Sequence, residues 1–238
     1  EPRLASWSSP ASKSSGTDRE SVGLAQGAGF VTHSSGNHGA ALAWAAQVIG
    51  QKAFIVMPSN APQAKIDAVN NYGGEITFCE PTLEARESTA ASVQDRTGAV
   101  LIHPYDNYDI IAGQATATLE LLQDAPEELQ TLFVPVGGGG LLAGAALANH
   151  YFGKAKVVGC EPQQANDAWQ SFTSGNWTPV KDPRTIADGL RTSLGHKNFP
   201  IILAHVDRIE LLSEQELKEA WRLATTRTKQ LIEPSAAA

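Results

Sequence analysis

Cysteine is scarce in this 238-residue chain: Cys79 and Cys160 are the whole complement. Two thiols make no disulfide framework, and no Cys/His spacing around them suggests a zinc module. Each ends an apolar, strand-like run and reads as a buried thiol, so a reducing compartment, the cytoplasm, is expected. Positive charge is short too. Eighteen Lys and Arg against 25 Asp and Glu leave a net charge of -7 with no basic cluster, which argues against a nucleic-acid backbone as partner. No apolar run approaches the ~20 residues that a bilayer crossing needs. The chain opens on Glu1 without a charged-then-apolar leader, so no secretory signal is expected. What is present is globular: 42% hydrophobic and 18% charged residues, enough to bury a core in one large domain or two small ones.

Residues 1–30 stand apart, rich in serine with Pro2, Pro10 and scattered glycines, and read as a poorly ordered or altered N-terminal arm. From Val31 on, strand and helix signals alternate. After a short apolar strand before the loop at 34–40, strands are expected near 52–57, 75–79, 99–102, 131–136, 155–160 and 206–211. Helices are expected near 38–50, 61–72, 82–96, 110–123, 141–152, 163–173 and 213–230. Gly50, Gly73 and Gly153 sit where helix C-caps belong, and Pro58, Pro81 and Pro104 follow strands. This alternation predicts an α/β fold with parallel sheet, whose ligands bind beyond the carboxyl ends of strands. At the far end, Leu231-Ile232-Glu233-Pro234-Ser235 reads as the approach to another element, cut short by three alanines.

Two loops fall at such strand ends. Ser34-Ser35-Gly36-Asn37-His38-Gly39-Ala40 enters an Ala-rich helix, and Val134-Pro135-Val136 runs through Gly137, Gly138, Gly139 and Gly140 into another. A strand, a small-residue loop and a helix start present unpaired N–H groups and the positive end of a helix dipole to an anion. Four glycines surrender so much backbone entropy that a bare turn is a poor account of them; a phosphate ester is the leading guess. Gly138, Gly140 and Ala143 with Glu161 also satisfy a dinucleotide fingerprint, which keeps a nicotinamide-dependent dehydrogenase as a rival. The serine loop offers two hydroxyls, a side-chain amide and several N–H groups, more than an N-cap needs. It suits a carboxylate or an aromatic hydroxyl, and a hydroxyl held there could move a proton.

Thr32-His33-Ser34-Ser35-Gly36-Asn37-His38-Gly39, His103-Pro104, Ile111-Ala112-Gly113-Gln114, Pro135-Val136-Gly137-Gly138-Gly139-Gly140, Ile186-Ala187-Asp188-Gly189 and Ile232-Glu233-Pro234 occur in that order. Together they resemble the serine racemase and serine/threonine dehydratase group of fold-type II pyridoxal-phosphate enzymes, over roughly 31–238. The resemblance implies the tryptophan synthase β-like fold: three layers around parallel sheets in two domains, here truncated at both ends. A small βαβ domain at 31–106 would carry the serine loop, and a partial large domain at 107–238 the glycine loop and a metal site. It implies pyridoxal 5'-phosphate as cofactor, its phosphate cradled by residues 137–140 and Leu141 and its phenolic oxygen bonded by Asn37. Ser34, Ser35 and His38 would meet the substrate carboxylate, with Ser35 also the acid/base on one face of the α-carbon. Arg86 matches a position that closes over substrate, although an exposed arginine paired with Glu84 or Glu87 explains it equally. Thr192 replaces the serine usual after the Asp-Gly run, and Tyr105-Asp106-Asn107 looks more like the dehydratases, so the two activities blur.

Glu161, Asp167 and the Ala165 carbonyl could complete a hard-cation shell with waters. On the residues alone, an Asp at a helix start beside a solvated Glu is the simpler account; the resemblance implies Mg2+, Ca2+ or Mn2+. It further implies L-serine, L-threonine or D-serine as substrate, ATP as effector and a homodimer. The family also needs a lysine, in a Ser/Thr-Phe-Lys-x-Arg-Gly run upstream of the serine loop, to hold the cofactor covalently and remove the α-proton. Lys13, the sole lysine before Ser34, lies in Ala11-Ser12-Lys13-Ser14-Ser15-Gly16 and lacks that context. A catalytically dead binding relative is therefore a second rival. β-Replacement of the cysteine-synthase sort is a third, disfavoured by His38 where that branch has threonine.

Overall fold

The computed structural model describes residues 28–34 and 36–238. The expected arm up to residue 27, Lys13 and the predicted acid/base Ser35 lie outside the described residues. Phe30 opens the first strand, so regular structure starts at the last residue of the expected arm.

The first half alternates β1 (Phe30–His33), α1 (Asn37–Val48), β2 (Ala53–Pro58), α2 (Gln63–Asn71), β3 (Glu75–Cys79), α3 (Leu83–Thr97) and β4 (Val100–Leu101). Its sheet runs β3-β2-β1-β4, every pair parallel. All six β2 residues are buried, as a central parallel strand covered on both faces requires. Side chains one apart point to opposite faces. Phe54 and Val56 therefore join Val31 against Ala90 and Val93 of α3, while Ala53, Ile55 and Met57 pack on Ala43 and Ala46 of α1 and Val69 of α2. That is the three-layer arrangement.

The second half holds α4 (Tyr108–Asp124), β5 (Thr131–Pro135), α5 (Gly140–Phe152), β6 (Lys156–Pro162), α6 (Asp167–Ser174), α7 (Asn198–His205), β7 (Arg208–Leu212) and α8 (Glu214–Thr228). Its parallel sheet runs β5-β6-β7. The largest core gathers Leu132, Val134 and Val157 of this sheet with Leu142 and Ala146 of α5, Ile111 of α4 and Ile202 of α7. Ile111 belongs to the Ile111-Ala112-Gly113-Gln114 block, so that block has a packing task. Asn107 caps α4, its Oδ1 accepting from Asp109 N at 2.7 Å. Ser213 and Glu216 form a capping box on α8.

Three expectations need correction. The helix expected over 163–173 divides into a 3-10 turn, Gln163–Ala165, and α6, with Asn166 at the break. α7 is a helix that the sequence does not announce. Cys160 is buried as expected, but Cys79 is only half-buried. Among the described residues both cysteines are free, and no helix is long and apolar enough to cross a membrane.

Candidate active site

Both predicted loops stand at carboxyl ends of strands and open helices without a side-chain cap: α1 starts behind Gly36 and α5 behind Gly139. The glycine quartet is buried throughout. Gly139 has φ +89°, a left-handed conformation that side chains rarely adopt. A Cβ on Gly138 would lie 2.3 Å from Cγ of Tyr105, so Tyr105 lies flat against the loop and only glycine fits beneath it. The Gly138 carbonyl is turned outward and held, accepting from Gly195 N at 2.9 Å and from Asn198 Nδ2 at 2.7 Å. The amides of residues 137–141 donate to no other described residue, which leaves them for an anion. Thr192 Oγ1, also buried without a partner among the described residues, is 3.2 Å from where a Gly137 Cβ would stand.

The serine loop is built from side chains. Ser34 Oγ accepts from Gly36 N at 3.2 Å, and Ser34 N donates to Val56 O, tying the loop to β2. Asn37 Nδ2 donates to Glu233 Oε1 at 3.0 Å, which joins two motif blocks nearly two hundred positions apart, and its second amide hydrogen has no partner among the described residues. His38 Nε2 is buried and unpartnered among the described residues, and burial pushes its pKa down to about 4, so the ring is neutral. His33 is likewise held near 4 by burial and by His103, whose ring centroid is 5.2 Å away. His103 Nδ1 accepts from the amides of Tyr105 and Asp106, at 3.3 and 2.9 Å. The His103 ring in turn meets Tyr105 edge-on at 4.7 Å. An aromatic chain thus runs from the strand before the serine loop to the face of the glycine loop. Burial drives Tyr105 up to about 12, so its hydroxyl keeps its proton.

Arg86 is half-buried near the start of α3, its Nε donating to Thr82 O at 3.3 Å. It forms no ion pair with Glu84 or Glu87, and its charge is felt at His33, Cys79 and Tyr105. The bland pairing is therefore not made, and Arg86 lies on the same side as the histidines.

Asp167 lies near enough for its charge to be felt at Glu161, and Glu161 is not solvated: it is fully buried. Its two oxygens accept from Ala168 N at 2.9 Å and Trp169 N at 2.8 Å, capping α6 from β6. With no exposed surface, the Glu161 carboxylate offers no face to a ribose at the mouth of the sheet, which removes the acidic partner that the dinucleotide fingerprint requires. Asp167 Oδ2 accepts from Leu194 N at 2.7 Å; Oδ1 is buried with no partner among the described residues. Burial pushes Glu161 up to about 8 and Asp167 up to about 6, against the pull of these amides. Ala165 is buried beside them in its 3-10 turn. No group of three or more His, Cys, Asp or Glu side chains suited to a metal occurs among the described residues.

Sequence reasoning missed Tyr105 and Asn198 as site residues. Asn198 hides in the unannounced α7, and Tyr105, two residues past His103, carries no local sign of the loop that it covers.

Comparison with known proteins agrees with this geometry. The chain is 46% identical over 213 residues to the serine racemase of Dictyostelium discoideum, covering 88% of this chain and 65% of that protein. It superposes on maize serine racemase with a TM-score of 0.86 at 41% identity, covering 89% of this chain and 64% of the other. A threonine deaminase from T.th. gives 0.85 at 45% identity, with 90% and 71% covered. The chain thus spans slightly under two thirds of the curated relatives it matches. The model of the pyridoxal-phosphate dependent enzymes matches residues 13–238, and to that family the chain belongs.

Proposed function

We propose that the chain carries the pyridoxal 5'-phosphate and amino-acid sites of a serine racemase that also acts as an L-serine or L-threonine ammonia-lyase. The observation that carries this reading is the buried glycine quartet, whose amides are unspent among the described residues while the Gly138 carbonyl is tied back by Gly195 and Asn198. The quartet and Leu141 would take the cofactor phosphate, with the Thr192 hydroxyl beside them. Asn37, oriented by Glu233, has one hydrogen left for the phenolic oxygen. When bound, pyridoxal phosphate supplies an electron sink that acidifies the α-carbon of the amino acid.

The chain's own groups do the rest. Ser34, Ser35 and the N-terminal amides of α1 would bind the carboxylate, with neutral His38 alongside and Arg86 closing over it. Ser35 would deliver or take a proton on one face of the α-carbon. Where the α-proton of the L-amino acid has left on the opposite face, protonation by Ser35 gives the D-amino acid; loss of the β-hydroxyl as water, with hydrolysis of the enamine that results, gives pyruvate or 2-oxobutanoate and ammonia. Glu161, Asp167 and the Ala165 carbonyl fit a hard divalent cation such as Mg2+, Ca2+ or Mn2+. The free Asp167 Oδ1 supports that fit, as does the negative charge of Asp167 that adds to the rise at Glu161. Through Leu194 N such an ion would brace the segment that ties back Gly138. The division into units at 31–106 and 107–238 is supported by the two separate sheets. A homodimer, an ATP effector and a cytoplasmic location belong to the same reading and rest on the resemblance and on the free thiols.

The binding-only alternative is favoured by the absence of the Ser/Thr-Phe-Lys-x-Arg-Gly run from this sequence. One experiment treats both: titrate the chain with pyridoxal phosphate, reduce with borohydride, map the peptides by mass, and assay pyruvate and D-serine from L-serine. Saturable uptake displaced by inorganic phosphate is expected. A pyridoxyl-lysine with product formation supports an active enzyme, and uptake without either supports the binding relative. Uptake of NAD with none of pyridoxal phosphate would overturn the assignment.

A further inference from the structure

Lys65 belongs to neither loop and to none of the motif blocks. It rises from the first turn of α2, and its Nζ meets Asp188 Oδ2 at 2.5 Å, 123 positions along the chain. Among the ion pairs of the described residues, this is the one with both side chains well covered, 24% and 37% exposed; both partners in every other pair are about half exposed or more. Partial desolvation makes such a pair worth more than the surface kind.

Both ends of the bridge touch the candidate site. On one side, the Lys65 ammonium lies 4.0 Å from where a Cβ on Gly36 would stand, directly against the serine loop. On the other, Asp188 opens the 3-10 turn Asp188–Leu190. The Gly189 carbonyl of that turn is 3.2 Å, and Leu190 Cα 2.9 Å, from where a Gly137 Cβ would stand, so the turn backs the glycine loop. Ser235 Oγ accepts from Gly189 N at 3.0 Å, and Glu233 beside it holds Asn37. Two links from the first half, Lys65–Asp188 and Asn37–Glu233, thus converge on one glycine behind the quartet.

We propose that Lys65 is a positioning residue: through Asp188 it sets the serine loop at a fixed distance from the turn that backs the glycine loop. A ligand that engages both loops at once meets them already spaced. This rests on the proposed cofactor and amino-acid sites, and it assigns Lys65 a task that neither loop can perform alone. A ligand held by its phosphate and ring reaches the serine loop only at Asn37, which Glu233 holds by a link of its own; one that adds an amino-acid carboxylate depends on where the rest of the loop stands.

Two probes separate these cases without any turnover by the chain. Pyridoxamine 5'-phosphate has phosphate and ring, and N-phosphopyridoxyl-L-serine adds the amino-acid arm through a stable secondary amine. Binding of each to the full chain is measured calorimetrically for wild type, Lys65→Met, Asp188→Asn and the double variant. Each single variant is expected to bind phosphopyridoxyl-serine about tenfold more weakly, and the double no more weakly than either single, as two halves of one link behave. Pyridoxamine phosphate should change by less than about threefold. Melting within about 4 °C of wild type would match the loss of one half-buried pair in a chain of this size. Should Lys65→Met not fold, Asp188→Asn decides alone. If Asp188→Asn binds phosphopyridoxyl-serine as well as or better than wild type, Lys65 acts on the ligand directly and the positioning role is overturned. Wild type that binds pyridoxamine phosphate while all variants keep phosphopyridoxyl-serine overturns this inference and leaves the function standing. Wild type that binds neither probe overturns both.

Discussion

The serine loop and the glycine loop use the same backbone device, a strand end turning into an uncapped helix, yet they are finished in opposite ways. The glycine loop is buried and sealed by protein: Tyr105 covers Gly138, and Leu194, Ile202 and Asn198 crowd Gly139. Its chemistry is left to amides. The serine loop is more open, with Gly36 half-buried and Asn37 exposed, and its chemistry lies in hydroxyl, amide and imidazole groups. A spherical, constant group such as a phosphate is well served by a rigid ring of N–H donors. A group that must be deprotonated and turned needs side chains that can exchange protons. The contrast predicts that the glycine loop fails by steric damage and the serine loop by electrostatic damage.

The largest effect is expected at Gly138. In Gly138→Ala the new methyl has to displace the Tyr105 ring, and overpacking of this kind costs about 3 kcal/mol. The loop should lose its retention of pyridoxal phosphate along with that stability. Chemical denaturation and cofactor titration check this, and adding Tyr105→Ala should restore a good part of both. A Gly138→Ala chain as stable and as retentive as wild type would mean that the quartet is not sealed as described.

A second test separates the loops by pH. His33, at the end of the strand that feeds the serine loop, is held near 4 by burial and by His103, below its ordinary 6.5. The unfolded chain binds the proton first as pH falls, so stability is full above pH 6.5 and is lost progressively toward pH 4. For this residue the loss amounts to about 2 kcal/mol between pH 7 and pH 5. His33→Gln should flatten the acid limb by that amount in melts at the two pH values. Taking the difference from wild type cancels Glu161 and Asp167, whose raised pKa values act in the opposite direction. An unchanged limb would show that the histidine is not buried in the neutral form.

The legible parts of this molecule are those fixed by neighbours in sequence. The unbroken apolar run Ala53, Phe54, Ile55, Val56 and Met57 marks a strand covered on both faces, and the glycine and serine runs mark both helix starts. What escapes depends on distant partners or on a misleading local cue. Pro200 makes α7 read as a break, yet it stands in the first helical turn, where its missing N–H costs nothing. Nothing near Tyr105 announces that its ring lies on Gly138, and nothing near Lys65 announces Asp188. Glu161 reads as solvated because a glutamate beside a proline in a polar stretch usually is; only the fold turns it inward to cap α6.

The smallest effect belongs to Gly36, and it sharpens the contrast most. It is a glycine at a helix N-cap, as Gly139 is, but its φ of -116° is open to any residue. The nearest atom to an added Cβ is the Lys65 ammonium at 4.0 Å, an ordinary van der Waals distance that displaces nothing. Gly36→Ala should therefore change stability by less than about 0.5 kcal/mol, within the range of substitutions that touch nothing essential. Pyridoxamine phosphate, which needs the glycine loop, should bind as in wild type. Phosphopyridoxyl-serine should bind a few-fold more weakly, because a methyl at position 36 narrows the space that Lys65 and the ligand's carboxylate share. If Gly36→Ala instead unfolds the chain or releases pyridoxamine phosphate, the two loops are not independent in the way their surroundings indicate, and the serine loop is as tightly sealed as its counterpart.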